Sequence, residues 1–286
     1  MTAVTAMREL RRNEPEYPQR LHELRSPPER IWARGDLALL DRPCVAIVGT
    51  RRATEYAERI TAELARTLAR AGASVISGLA RGVDAAAHRG ALEVDGATCA
   101  VLGTGLDVAY PKGHASLQSV IGRRGLLLSE IEPTSAAHRG SFPQRNRIIA
   151  ALASVTIVVE AGFKSGALLT AKHADDIGRT VAAVPGPIDV PQAQGSNELL
   201  RDGATVIATL ADAVALMGLT APVRRVEYPE GSSERRMWDT ISAGAADLDT
   251  LCSRSGLPVE DGMAAVTTLE MHGLIECGLT GEIRRR

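Results

Sequence analysis

Aromatic side chains are scarce in this chain: they make up 3% of it, and only two are phenylalanines. The core must therefore be aliphatic, and an aromatic ring found among charged residues needs its own reason to be there. Cysteine is equally sparse. Cys44, Cys99, Cys252 and Cys277 form no CxxC pair and have no histidine at ligand spacing, which argues against a disulfide framework or a zinc site. No apolar run reaches the ~18 residues of a membrane span, and the opening "MTAVTAMRELRRNEPEYPQR" lacks a signal-peptide core. A cytoplasmic protein with no membrane partner is expected. Net charge is nearly absent too, at −1. Any affinity for a polyanion would have to come from local clustering of Lys and Arg.

What the chain does have is alternation. From Val45 onward, the short aliphatic runs "CVAIVG", "ASVISG", "TCAVLG", "LLLSE", "VTIVVE", "TVAAVPG" and "ATVIAT" alternate with helix-length stretches. Each run is near-continuous in apolar residues, as strands covered on both faces are. Between the first two, Ile60, Leu64 and Leu68 recur every fourth residue, and Gly72 follows as a stop. The pattern predicts an α/β fold with a doubly wound, mostly parallel sheet of about seven strands over residues 41–218. Residues 1–40 read as an irregular lead-in whose "RSPPERIWARGD" packs Trp32 onto the core. Residues 219–232 read as a polar linker. Over 233–286, three short helices and the alternating "LIECGLTGEIRRR" predict a small winged-helix domain.

Ligands of open α/β sheets bind outside the carboxyl ends of the strands. The segments that follow those ends carry Gly49, Arg51 and Arg52; then Arg81; then Lys112; then "IEPTSAAHRGSFPQRNR", read as a long loop with Arg139, Arg145 and Arg147; then Lys164. Cations scattered along the sequence are thus expected to converge in space. Both phenylalanines, Phe142 and Phe163, lie in these basic segments, and Tyr110 occupies another. Rings interleaved with Arg and Lys suit a single-stranded nucleic acid, with guanidinium groups on phosphates and rings stacked on bases. Two readings fit Phe142, a base-stacking platform or a plug beneath its loop; Phe163 reads as packing. Small residues before helices, at Ser77 and Gly78, Gly103 and Gly105, and Ser165, Gly166 and Thr170, form a candidate phosphate pocket. "GTGLDV" is no dinucleotide fingerprint, no Walker A sequence is present, and no cofactor or metal is expected. Glu130, Glu160, Asp84, His88 and Asp107 stand near the same edge without a nucleophile beside them. Asp84 and His88, four residues apart, read as holding each other.

Together the segments "IVGTR", "SGLARGVDAAAHRGAL", "AVLGTGLDVAYPKGH", "LLSEIEP", "FPQRNRIIAALA", "VVEAGFKSGALLTAKHA" and "VPGPID....QGSNELLRDGA" resemble the bacterial DNA-processing family DprA, also called Smf. They run in family order across roughly residues 40–210, and the likeness extends to the winged helix. The resemblance implies a Rossmann-like core and a non-catalytic homodimer that binds single-stranded DNA. Such a protein protects incoming strands in natural transformation and loads RecA onto them in recombination. It also implies DNA contacts at Arg51, Lys112, Arg139 and Phe142. Three departures stand out: His114 where the family commonly has Asn, Ala167 where it commonly has Ser, and a lead-in of about 40 residues that leaves no room for the N-terminal helical domain of many members. The alternative is a nucleotide-binding or nucleotide-cleaving Rossmann-like protein. The "PGGxGTxxE" motif of the phosphoribohydrolases among these, with its catalytic glutamate, has no counterpart in "AGFKSGALLT". A third reading puts duplex DNA on the winged helix through Arg254 and Arg284 to Arg286. The helix that would read the groove, "PVEDGMAAVTTLEMHG", contains no Lys or Arg, which points instead to packing or protein interaction.

Overall fold

The chain joins the sheet earlier than its composition suggests. In the computed structural model, which describes residues 6–138, 140–220, 228–278 and 281–285, β1 (Arg8–Arg11) and β2 (Arg30–Gly35) pair antiparallel. These residues were expected to be irregular. Between the strands, Tyr17 is buried and its hydroxyl donates to the Pro28 carbonyl at 2.8 Å, which pins the connection down.

The aliphatic runs then form the parallel strands that their continuity predicts. In order they are β3 (Cys44–Val48), α1 (Glu55–Arg70), β4 (Ser74–Ser77), α2 (Val83–Glu93), β5 (Thr98–Leu102), α3 (Ala115–Arg124), β6 (Leu126–Ser129), α4 (Ser141–Leu152), β7 (Val155–Val158), α5 (Gly166–Asp176), β8 (Thr180–Ala183), α6 (Gln194–Arg201), β9 (Thr205–Val206) and α7 (Leu210–Leu216). The sheet order is β1-β2-β6-β5-β4-β3-β7-β8-β9. β3 to β9 run parallel, and β2 closes onto β6 antiparallel. Because successive side chains of a strand face opposite ways, Cys44, Ala46 and Val48 enter one apolar layer with Ile148, Leu152 and Ala171, while Val45 and Ile47 enter the other with Leu64, Leu68 and Ala91. The order turns back at β3, whose neighbours are β4 on one side and β7 on the other. That places a crevice at the carboxyl ends of β3 and β7.

Two local features position the site. Thr54 caps α1 by accepting from the Ala57 N–H at 3.1 Å, so the preceding Gly49–Arg52 turn stays short. The long basic loop expected after β6 is shorter than predicted, because α4 already begins at Ser141. Gly140 sits at φ +95° just ahead of it, and Pro143 falls in the first turn, where its missing N–H leaves no bond unmade. Phe142, Arg145 and Arg147 are therefore helical.

The chain divides into two compact units near residue 222. In the second, α8 (Ser233–Ala243), α9 (Leu248–Ser255) and α10 (Val259–Met271) are followed by the hairpin β10 (Ile275–Cys277) and β11 (Ile283–Arg285). This is a winged helix with a core of its own, built on Met237, Ile241, Leu251, Leu269, Ile275 and Ile283. No helix among the described residues is long and apolar enough to cross a membrane.

Candidate nucleic-acid interface

The turn after β3 is fastened to the end of β7. Thr50 donates its N–H to the Glu160 carbonyl at 2.7 Å, and the Glu160 carboxylate accepts from the Thr54 N–H at 3.0 Å and hydroxyl at 2.8 Å. Held from below, the turn presents Arg51 and Arg52 to solvent. The Arg51 guanidinium lies 5.2 Å from the centroid of the Phe142 ring, within cation–π range. On Phe142 rests Tyr110, with ring centroids 4.9 Å apart and planes tilted by 35°. Residues from three separate segments thus form one column, and the exposed Tyr110 ring stands at its outer end.

Two clefts adjoin this column, and Arg51, Arg52, Phe142 and Arg145 line both. The larger, about 610 Å³, runs between the Gly49–Arg52 turn, the start of α4 and the N-terminus of α5, where Ser165, Gly166 and Thr170 line it. The smaller, about 250 Å³, extends toward Arg81, Gly103 and Tyr110. Ser165 caps α5 by accepting from the Ala167 N–H at 3.3 Å. A helix N-terminus of this kind offers N–H donors and partial positive charge to an anion. Arg51, Arg52, Arg81, Lys112 and Lys164 are exposed, and none of them enters an ion pair among the described residues.

Other predicted site residues turn inward. Arg145 is only 5% exposed and donates through Nη1 to the carbonyls of Gly78 and Val101. It floors the clefts and does not stand as a free cation at their rim. Arg147 is held by Glu130, at 2.6 and 2.7 Å to the two carboxylate oxygens, and by the Ser26 carbonyl at 2.9 Å. The two were expected to hold phosphates; each is instead taken up by its own partners within the protein, on different sides of α4. Ser77 donates its buried hydroxyl to the Ile47 carbonyl at 2.6 Å, so it offers nothing to a ligand. Gly49, Gly78, Gly103 and Gly105 answer to packing. A Cβ would strike Val83 at the first, the Arg145 guanidinium at the second, the Phe142 ring at the third and the backbone of Glu132 and Pro133 at the fourth. Arg139 lies outside the described residues. Phe163, read from sequence as packing, is 61% exposed with the Lys164 ammonium 5.2 Å from its ring centroid.

Comparison with known proteins fixes the family. Residues 9–218 match the family model described as DNA recombination-mediator protein A, and residues 221–278 match the DprA winged helix domain. The chain belongs to the DprA family. It is similar to the putative DNA processing protein DprA of Mycobacterium tuberculosis, at 40% identity over 86% of this chain and 66% of the relative. It is also similar to Protein Smf of Escherichia coli, at 34% identity over 94% of this chain and 75% of the relative. The match therefore spans just under two thirds of the mycobacterial protein's length. Among solved structures, DNA processing protein A from Streptococcus pneumoniae superposes with a TM-score of 0.71 at 38% identity, covering 73% of this chain and 74% of the other. DNA processing protein A from Helicobacter pylori, studied for its single-stranded DNA binding mode, superposes at 0.68 with 35% identity, covering 76% and 99%.

Beneath the DprA cleft lies a buried polar network. Asp84 accepts from the Gly78 and Ala80 N–H groups at 3.2 and 3.3 Å. Burial pushes its carboxyl up, against the pull of Arg145. Burial also pulls the Arg145 guanidinium down, to about 10, so it stays charged at neutral pH. His88 does not meet Asp84, as its spacing suggested. Its Nδ1 lies 2.7 Å from the Thr98 hydroxyl, and burial, with the Arg145 charge adding to it, lowers its pKa to about 3. His114, one of the departures from the family pattern, ties the turn after Tyr110 to the Leu79 carbonyl at 3.0 Å. Ala167, another, is buried behind the Ser165 cap. Sequence reasoning placed Arg81 and Tyr110 in the strand-end segments, and both line the smaller cleft; it missed Asn146, which lines the larger. Arg81 and Tyr110 had a signal, since both follow strand ends beside glycine or proline. Asn146, whose amide donates to the Gly166 carbonyl at 3.0 Å, had none.

Proposed function

We propose that this DprA-family chain binds single-stranded DNA along the carboxyl edge of its sheet, as a recombination mediator without catalytic turnover. The observation that carries this reading is the Arg51–Phe142–Tyr110 column. An exposed ring backed by a second ring suits an unpaired base, which has a free π-face to stack; in a duplex those faces are already covered. The exposed Arg51, Arg52, Lys112 and Lys164, together with the N-terminus of α5, face the phosphates. The H. pylori relative, described for single-stranded DNA binding, supports the same assignment at 35% identity.

Binding is favoured over nucleotide cleavage because the nearby carboxylates are already engaged. Glu160 holds Thr54, Asp84 holds two backbone amides, and Glu130 holds Arg147. A general acid or base needs a carboxyl group within reach of substrate. In the cell the chain acts in the cytoplasm as a homodimer, protects incoming strands and loads RecA during transformation and recombination. The test is fluorescence anisotropy of labelled poly-dT at several salt concentrations, with duplex and mononucleotide competitors, followed by RecA filament assembly on the bound strand. Tight, salt-dependent binding that duplex competes for poorly supports the reading. Competition or turnover of a mononucleotide sinks it.

A further inference from the structure

The winged-helix unit carries an exposed, largely apolar helical face. α10 turns Gly262, Ala265, Val266 and Leu269 into the core of the unit. Its other side exposes Met263, Ala264, Thr267 and Met271, with Met263 54% and Met271 81% accessible. The threonines add little polarity here. Thr267 and Thr268 each donate their hydroxyl to the carbonyl four residues earlier, of Met263 and Ala264, at 2.9 Å. Around this apolar strip stand Glu260, Asp261 and Glu270. The helix has no Lys or Arg, and none of these carboxylates is ion-paired among the described residues.

Duplex DNA does not fit such a helix. A helix that enters the major groove needs cations for the flanking phosphates, and three carboxylates without an ion-pair partner among the described residues would repel them. The wing does not compensate fully, because Arg284 pairs with Glu276 at 2.5 Å and Arg285 lies over the Trp238 ring. A second copy docking through the same face does not fit either. A two-fold contact sets a surface against itself and would bring the acidic rims together. Unbranched, polarisable methionines inside an acidic rim suit a partner that is apolar in its middle and cationic at its edges. We propose that this face of α10 docks a basic amphipathic helix of a partner protein, with the partner's aliphatic side chains on Met263 and Met271 and its Lys or Arg beside Glu260, Asp261 and Glu270.

The methionines supply the test. In the full chain labelled with 13C-methyl methionine, Met263 and Met271 report the proposed face. Met237 reports the core of the same unit, and Met7 and Met217 report the sheet unit. Titration with a synthetic leucine–lysine amphipathic helix is expected to move the Met263 and Met271 signals and leave those of Met7, Met217 and Met237 in place. Glu260→Gln/Glu270→Gln is expected to weaken the peptide by about three- to tenfold. Met263→Asp/Met271→Asp is expected to abolish binding, with an unchanged Met237 signal showing that the unit is still folded. The proposal is overturned if a leucine–glutamate peptide binds as well, or if no peptide moves the two signals. It is equally overturned if a duplex oligonucleotide moves them, or if they move with protein concentration alone, which would assign the face to a second copy.

Discussion

The turn after β3 and the first turns of α4 each carry two arginines, and the protein uses the pairs in opposite ways. Arg51 and Arg52 sit on a turn fastened through Thr50 and Thr54 and not through the arginine side chains, so their guanidinium groups remain in water with a ring beside one of them. Arg145 and Arg147 project from different sides of a helix that is packed on both, onto two carbonyls and a carboxylate respectively. One pair stays in solvent, where the proposed function needs charge, and the other holds together the surface beneath. Residue type does not distinguish them; the backbone that carries them does.

The sharpest way to break this comparison is Arg145→Met. If Arg145 is structural, the substitution strands the Gly78 and Val101 carbonyls and leaves Asp84 buried without its facing cation, at a cost of about 3–5 kcal/mol. Urea unfolding measures it, and a loss below about 1 kcal/mol would put Arg145 back among the surface cations. Next in size is an effect of acid on the same network. His88 has a folded pKa of about 3, below its ordinary value near 6.5. Above that value both states are neutral and nothing is lost; as pH falls below it, only the unfolded chain takes up the proton. Stability is then expected to drop by about 2 kcal/mol between pH 7 and pH 5, and His88→Leu should flatten the fall.

Arg51→Ala tests the other side of the comparison. It should weaken poly-dT binding about tenfold and lower the salt slope by about 0.7, with the urea midpoint unmoved. A lowered midpoint would make Arg51 structural as well. The smallest effect is reserved for Arg147→Gln, which should change poly-dT affinity by less than about twofold, because its charge is already matched by Glu130. A large loss of affinity there would erase the distinction.

The parallel sheet was legible in the sequence because strands buried on both faces must be aliphatic throughout, as Cys44–Val48 and Val155–Val158 are. β1, an edge strand, and β2 were not, since both bury only some of their residues and "RELR" is mostly charged. The meeting of Arg51, Arg52, Arg81 and Arg145 around the clefts followed from the strand-end rule. Their division into free and buried groups did not, because it depends on where α4 begins. Gly140 and Pro143 look like loop punctuation until the following "NRIIAAL" is seen packed on the sheet. Phe163 was misread for the opposite reason. Sequence favours packing for a lone ring beside a strand, and here the ring stays outside.

Arg145 also bears on when the site comes into being. The carbonyls it grips belong to residues 67 and 44 positions earlier in the chain. A nascent chain that has already formed β3, α1, β4 and β5 presents Arg51 and the glycine-rich turns, but no floor beneath them. Only when α4 has emerged and docked does one side chain lock the turns after β4 and β5 at their final spacing. Contacts so distant along the chain are costly to close early, so the floor of the proposed site forms only after about half of the chain, through α4, has been made.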